Sequence, residues 1–129
     1  MKTLLITICI ILLSPTAYAI NCAPFAIAKY LNTSPAQTIV DMRRLLKNKD
    51  EGFTIPEIQK YLKSIGYKAV KVKTAEFPVI LGLPTHWLVA IGQNDFYYKV
   101  QDIQCPTPTC WIPKKKLKIK SFYKLKHEK

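Results

Sequence analysis

The feature that most constrains this chain is a change of hydrophobic period at Gly66. Before it, apolar residues recur at the three-and-four spacing of helices; after it they alternate, as strands require. Residues 21–31 suit a helix, with Asn21 as cap, Pro24 in the first turn and Phe25, Ile27, Ala28 and Leu31 apolar. Residues 35–46 form a second amphipathic pattern through Ile39, Val40, Met42, Leu45 and Leu46, followed by a polar break at 48–52. Thr54-Ile55-Pro56-Glu57 has the form of a capping box and opens a third helix carrying Ile58, Tyr61, Leu62 and Ile65, with Gly66 as its stop. Beyond it, residues 67–72, 78–81, 87–91, 96–100 and 117–125 are β-prone, and Gly92-Gln93-Asn94-Asp95 suits a hairpin turn. Three helices followed by antiparallel strands predict an α+β fold.

The first nineteen residues do not fit that domain. Lys2 is followed by an apolar run over residues 3–13, too short to cross a bilayer as a helix. Ser14 and Pro15 break the run, and Ala17-Tyr18-Ala19 offers the small residues of a signal peptidase site. Residues 1–19 are expected to be a secretory signal cleaved after Ala19, and residues 20–129 the single mature domain. Cys22 lacks the preceding lipobox that lipidation needs. No second apolar run spans a membrane, so the product is expected in the periplasm or outside the cell, not as an integral membrane protein.

Export makes the cysteines informative. Cys9 leaves with the signal, and Cys22, Cys105 and Cys110 remain. In an oxidising compartment thiols pair. Cys105 and Cys110 flank Pro106-Thr107-Pro108-Thr109, a turn-rich loop that can bring them together, which leaves Cys22 as the odd thiol. Cys22 stands beside the predicted start of the first helix, where unpaired N–H groups favour negative charge. His86 enters a strand and is the one histidine outside the lysine-rich tail that carries His127. Asp102 ends the following strand, across the hairpin from His86, where a carboxylate can hold the imidazole in the tautomer of a general base. Gln101 and Gln104 flank it as alternatives. Nucleophile, base and orienting acceptor make a cysteine-hydrolase set that needs no metal and no cofactor. Each residue also has a plain structural reading, and a zinc site built from Cys22, His86, Cys105 and Cys110 is disfavoured by the loose spacing and the expected disulfide.

At these residues the chain resembles the bacteriocin-processing double-glycine peptidases, papain-like domains found at the front of many peptide-exporting transporters. Asn21-Cys22-Ala23 resembles that family's Asp-Cys-Gly opening. Met42-Arg43-Arg44-Leu45, Gly52-Phe53-Thr54 and Ile65-Gly66-Tyr67-Lys68-Ala69 resemble its helix, glycine turn, second helix and lead into the first strand. Pro78-Val79-Ile80 and Thr85-His86-Trp87-Leu88-Val89 resemble its strand pair ending in the catalytic His, and Asp102 falls where its triad Asp would be. The resemblance implies a papain-like fold, with N-terminal helices packed on an antiparallel sheet. It also implies a peptide or protein substrate, such as a leader cut after a Gly-Gly pair. Three departures stand out: Ala23 replaces Gly, Ile103 replaces Pro, and no Gln precedes Cys22. The family's Gln is an oxyanion donor, and losing such a donor costs roughly 100- to 1,000-fold in rate. The Asn21 side chain, or backbone N–H groups at the helix start, are the candidate replacements.

The formal net charge of +12 falls to +11 when Lys2 leaves. Eight lysines crowd the last sixteen residues. Lys118 and Lys120 alternate with Leu117 and Ile119 and fit a solvated edge strand. The run Lys114-Lys115-Lys116 is the candidate contact for an anionic surface, without any specific nucleic-acid motif. Two other functions fit the same residues: a non-catalytic papain-like module that holds a peptide, and a secreted antibacterial effector. Fold alone does not choose between them.

Overall fold

The computed structural model describes residues 15–47, 52–84 and 86–128, with only the backbone path for residues 15–20. Most of the expected signal segment and of the polar break after the second helix lies outside the described residues. The chain runs α1 (Pro15–Leu31), α2 (Pro35–Leu46), α3 (Ile55–Ser64), β1 (Tyr67–Val72), β2 (Val79–Leu83), β3 (His86–Gln93), β4 (Tyr97–Gln101), β5 (Cys110–Pro113), a 3-10 turn (Lys114–Lys116) and β6 (Ser121–His127). Among the described residues, three helices thus pack on one six-stranded antiparallel sheet of order β1-β6-β2-β3-β4-β5.

Local chemistry sets the helix limits. Ser34 caps α2 by accepting from the Gln37 N–H, and Pro35 fills its first turn. α3 opens with the expected capping box: Thr54 accepts from the Glu57 N–H, and Glu57 accepts from the Thr54 N–H at 2.9 Å. It ends at Gly66, whose φ of +87° is a left-handed conformation that favours glycine.

Three expectations need correction. α1 begins at Pro15, not Asn21, so Cys22 is the eighth residue of a helix of 17. The excised-signal reading had set aside Pro15-Thr16-Ala17-Tyr18-Ala19, yet Pro suits a first helical turn and alanine propagates one. The Asn21 side chain is not a cap; its Oδ1 accepts from Arg43 Nη2 at 2.9 Å. Next, Cys110–Pro113 is a strand, paired with β4 in the register Val100↔Cys110 to Tyr97↔Pro113. Its four residues include Cys and Pro and show no alternation long enough to signal it. Last, the final strand starts only at Ser121 and lies inside the sheet, between β1 and β2. Lys118 and Lys120 therefore stand on the segment before β6, and β1 and β5 are the edges.

Both faces of the sheet are buried. On the helix side Ile27, Met42, Ile58 and Leu62 pack against Ile80, Val89 and Tyr123. On the other, Val79, Leu81, Leu88 and Val100 are covered by Ile112, Leu117, Ile119 and Phe122. Alternation along β2 explains the division, since Ile80 points one way and Val79 and Leu81 the other. Leu62 and Met42 are fully buried, and each such side chain contributes about 1.5–3 kcal/mol. Among the described residues, no helix is long and apolar enough to cross a membrane.

Candidate active site

α1 lies across β3 and carries Cys22 to the end of the sheet where β3 begins with His86. Cys22 is buried and unpaired by any disulfide, and its side chain is hydrogen-bonded to the His86 ring. The opposite ring nitrogen, His86 Nε2, lies 2.8 Å from Asp102 Oδ1, which leaves Nδ1 for the sulfur. Asp102 follows β4 directly and is 4% exposed, a degree of burial that a carboxylate sustains only with partners. Its Oδ1 also accepts from the Ile103 N–H at 2.9 Å, and its carbonyl accepts from the Cys105 N–H at 2.9 Å. The Cys105–Cys110 disulfide then ties that turn to β5, with a Cα–Cα distance of 5.7 Å. Cys22, His86 and Asp102, far apart in sequence, thus form one polar chain. Cys105 and Cys110 are bonded to each other, which removes two sulfurs from the zinc set.

The electrostatics of His86 follow from this packing. Burial pushes its pKa down, but the hydrogen bonds that the ring donates to Asp102 and Cys22, with the electrostatic attraction to both, outweigh burial and hold it up at about 9. The ring is therefore an imidazolium at neutral pH, placed between sulfur and carboxylate.

The pair opens into a cleft of about 490 Å³. One wall is the approach to α3, where Phe53 and the capped turn at Thr54 and Ile55 stand opposite Cys22. The floor is Trp87 and Tyr123, whose rings lie 5.0 Å apart. Gly82 makes that floor possible. A Cβ there would come within 3.0 Å of Tyr123 Cε2 and 3.5 Å of Trp87 Nε1. Lys120 and Ser121 complete the rim.

Asn21 does not line this cleft. Arg43, which holds it, also stacks its guanidinium 5.2 Å from the Phe53 ring centroid. Arg43 thereby links the helix bearing Cys22 to the opposite wall, a role that its place in an amphipathic helix did not signal. Trp87 and Tyr123 are likewise visible in the sequence only as strand residues, and Gly82 falls just past the β-prone run 78–81 although it lies inside β2.

No family model matches the sequence, and no curated protein does. Solved structures do. The N-terminal peptidase C39-like domain of a toxin secretion ATP-binding protein from Vibrio parahaemolyticus superposes with a TM-score of 0.63 at 14% identity, covering 84% of this chain and 98% of that one. The peptidase domain of Streptococcus ComA, a bi-functional ABC transporter of a quorum-sensing pathway, gives a TM-score of 0.62 at 17% identity, covering 85% and 93%. The architecture is thus that of papain-like C39 peptidase domains over nearly the whole described chain.

Proposed function

We propose that this chain is an exported cysteine peptidase, with Cys22 as nucleophile, His86 as acid and base, and Asp102 as the group that orients His86. The continuous contact from Cys22 through His86 to Asp102 at the mouth of a cleft carries this reading. The sulfur attacks the scissile carbonyl and forms a C–S bond as the imidazolium gives its proton to the departing amine, breaking the C–N bond. Neutral His86 then takes a proton from water, which attacks the thioester and releases the acid and Cys22. Asp102 keeps the ring turned so that Nδ1 meets the sulfur throughout. By resemblance, the substrate is a leader peptide or exported partner cut after a small-residue pair such as Gly-Gly.

Signal cleavage after Ala19 bears on the oxyanion donor. In the continuous helix the N–H groups of Asn21, Cys22 and Ala23 are committed to the carbonyls of Ala17, Tyr18 and Ala19. Removing residues 1–19 takes away all three acceptors. Pro24 is next and has no N–H to lose. Cleavage thus converts the middle of a helix into a helix start at Cys22, with free donors beside the sulfur. These donors would stand in for the absent Gln, which the peptide-holding, non-catalytic alternative leaves unreplaced.

The test is alkylation of Cys22 by iodoacetamide in the exported protein. His86→Ala should slow it at least tenfold near neutral pH, because the variant loses the adjacent imidazolium. Equal rates in wild type and variant would show that Cys22 and His86 are not a catalytic pair.

A further inference from the structure

At the other end of the β3–β4 hairpin, about 20 Å along the strands from His86, three aromatic side chains face solvent. Phe96 is 75% exposed, Trp111 50% and Tyr97 40%. None of them lines the cleft. They are gathered by the fold rather than by sequence. Trp111 pairs with Lys99 across β4 and β5, and Tyr97 is two residues from Lys99, so all three project from the same face. Phe96 precedes them at the hairpin tip, and its carbonyl accepts from the Lys114 N–H at 2.8 Å. That bond seats the 3-10 turn Lys114–Lys116 against the hairpin tip at Phe96.

Two of the cations are held in place. Lys114 Nζ donates to Gln93 Oε1 at 2.7 Å and lies 5.0 Å from the Tyr98 ring centroid, which places it on the opposite face of β4 from Tyr97 and Trp111. Lys99 Nζ lies 5.9 Å from the Trp111 centroid. Lys115 and Lys116 are exposed. Against these four lysines the tip sets one exposed carboxylate, Asp95. Isolated exposed aromatics are ordinary; three at one pole, with Lys99 on one face of β4 and Lys114 on the other, form a patch that water alone does not favour.

We propose that this pole is a docking surface for an anionic lipid membrane. The patch sits at a hairpin end, which can meet a soft headgroup layer. Tyr and Trp rings settle at that level, where one part is apolar and the other wet. The lysines meet the lipid phosphates from above. The cleft lies at the opposite end of the strands, so a molecule docked this way keeps its cleft open to solvent. The surface is independent of whether Cys22 is catalytic.

The exported protein is mixed with vesicles of phosphatidylcholine alone or with ~30% phosphatidylglycerol, at ~0.1 M salt. It should sediment with the anionic vesicles and release at high salt. The chain has two tryptophans, of which Trp87 is buried, so a blue shift of emission on binding should come from Trp111 and vanish in Trp111→Phe. Each lysine near an anionic surface contributes roughly fivefold in affinity, so replacing Lys114, Lys115 and Lys116 by Gln should weaken binding on the order of 100-fold. Phe96→Ser should weaken it without altering the salt dependence. Equal binding to both vesicle types, an unshifted Trp111, or binding unchanged in the triple variant would overturn the proposal. So would tighter capture by heparin or single-stranded DNA, which would assign the patch to a polyanion instead.

Discussion

Replacing Asp102 with Asn should change how the stability of this protein depends on pH. The variant keeps the side-chain shape and an acceptor for the Ile103 N–H, but loses the charge that faces His86 at 2.8 Å. In the wild type His86 is held at about 9 against an ordinary 6.5. That difference is equivalent to about 3 kcal/mol in favour of the folded imidazolium. Because the folded value is the higher one, this contribution is complete below about pH 6.5, declines as pH rises, and is gone above about 9. Asp102 and Cys22 share it, with the Asp102 hydrogen bond the leading favourable cause. Asp102→Asn should therefore be less stable by on the order of 2 kcal/mol near pH 6, and by much less near pH 9.5. Urea unfolding at the two pH values measures this directly. NMR of the imidazole resonances follows the charge itself, and only His86 and His127 contribute. In the variant, burial is left opposed by Cys22 alone, and the His86 midpoint should fall. A wild-type His86 that titrates near 6.5, or a variant equally destabilised at both pH values, would refute the account of this site.

Two further outcomes are expected. Gly82→Ala should destabilise the fold by about 1–3 kcal/mol in urea denaturation, because the added Cβ meets the buried Tyr123 ring at 3.0 Å and the Ser121 carbonyl at 3.3 Å; unchanged stability would mean that the Trp87–Tyr123 floor yields freely. Mass spectrometry of the exported product should find Ile20 as first residue and a single Cys105–Cys110 disulfide; an intact Met1, or Cys22 in a disulfide, would remove the maturation scheme.

The parts of the fold legible in the sequence are those set by short-range chemistry. The capping box at Thr54 and Glu57 and the stop at Gly66 appear where the residues put them. The turn joining β3 and β4 falls two residues later than Gly92-Gln93-Asn94-Asp95 suggests, because Gly92 and Gln93 extend β3 by pairing with Lys99 and Tyr98. The Cys105–Cys110 pairing was legible because only four turn-forming residues separate the two cysteines. β5 was not legible, since four residues form a strand only because β4 offers them a ladder. Nor was the start of α1, where local propensity continues through the expected cleavage site.

For the site, the sequence alone determined which residues are chemically eligible: one thiol left over by the Cys105–Cys110 pairing in the expected mature domain, one histidine outside the tail, and an acid one hairpin away. Eligibility follows from residue type and count, which need no coordinates. Tertiary structure decided everything that depends on distance. It set Cys22 against His86 and buried Asp102 at 2.8 Å from the ring. It gave Asn21 to Arg43 instead of the cleft, and gathered Phe96, Tyr97 and Trp111 at the far pole. Side-chain charge and shape are written in the chain, but hydrogen bonds and burial fall off within a few ångströms. Only the packing of α1 on the sheet, and of β5 on β4, brings residues separated by tens of positions within that range.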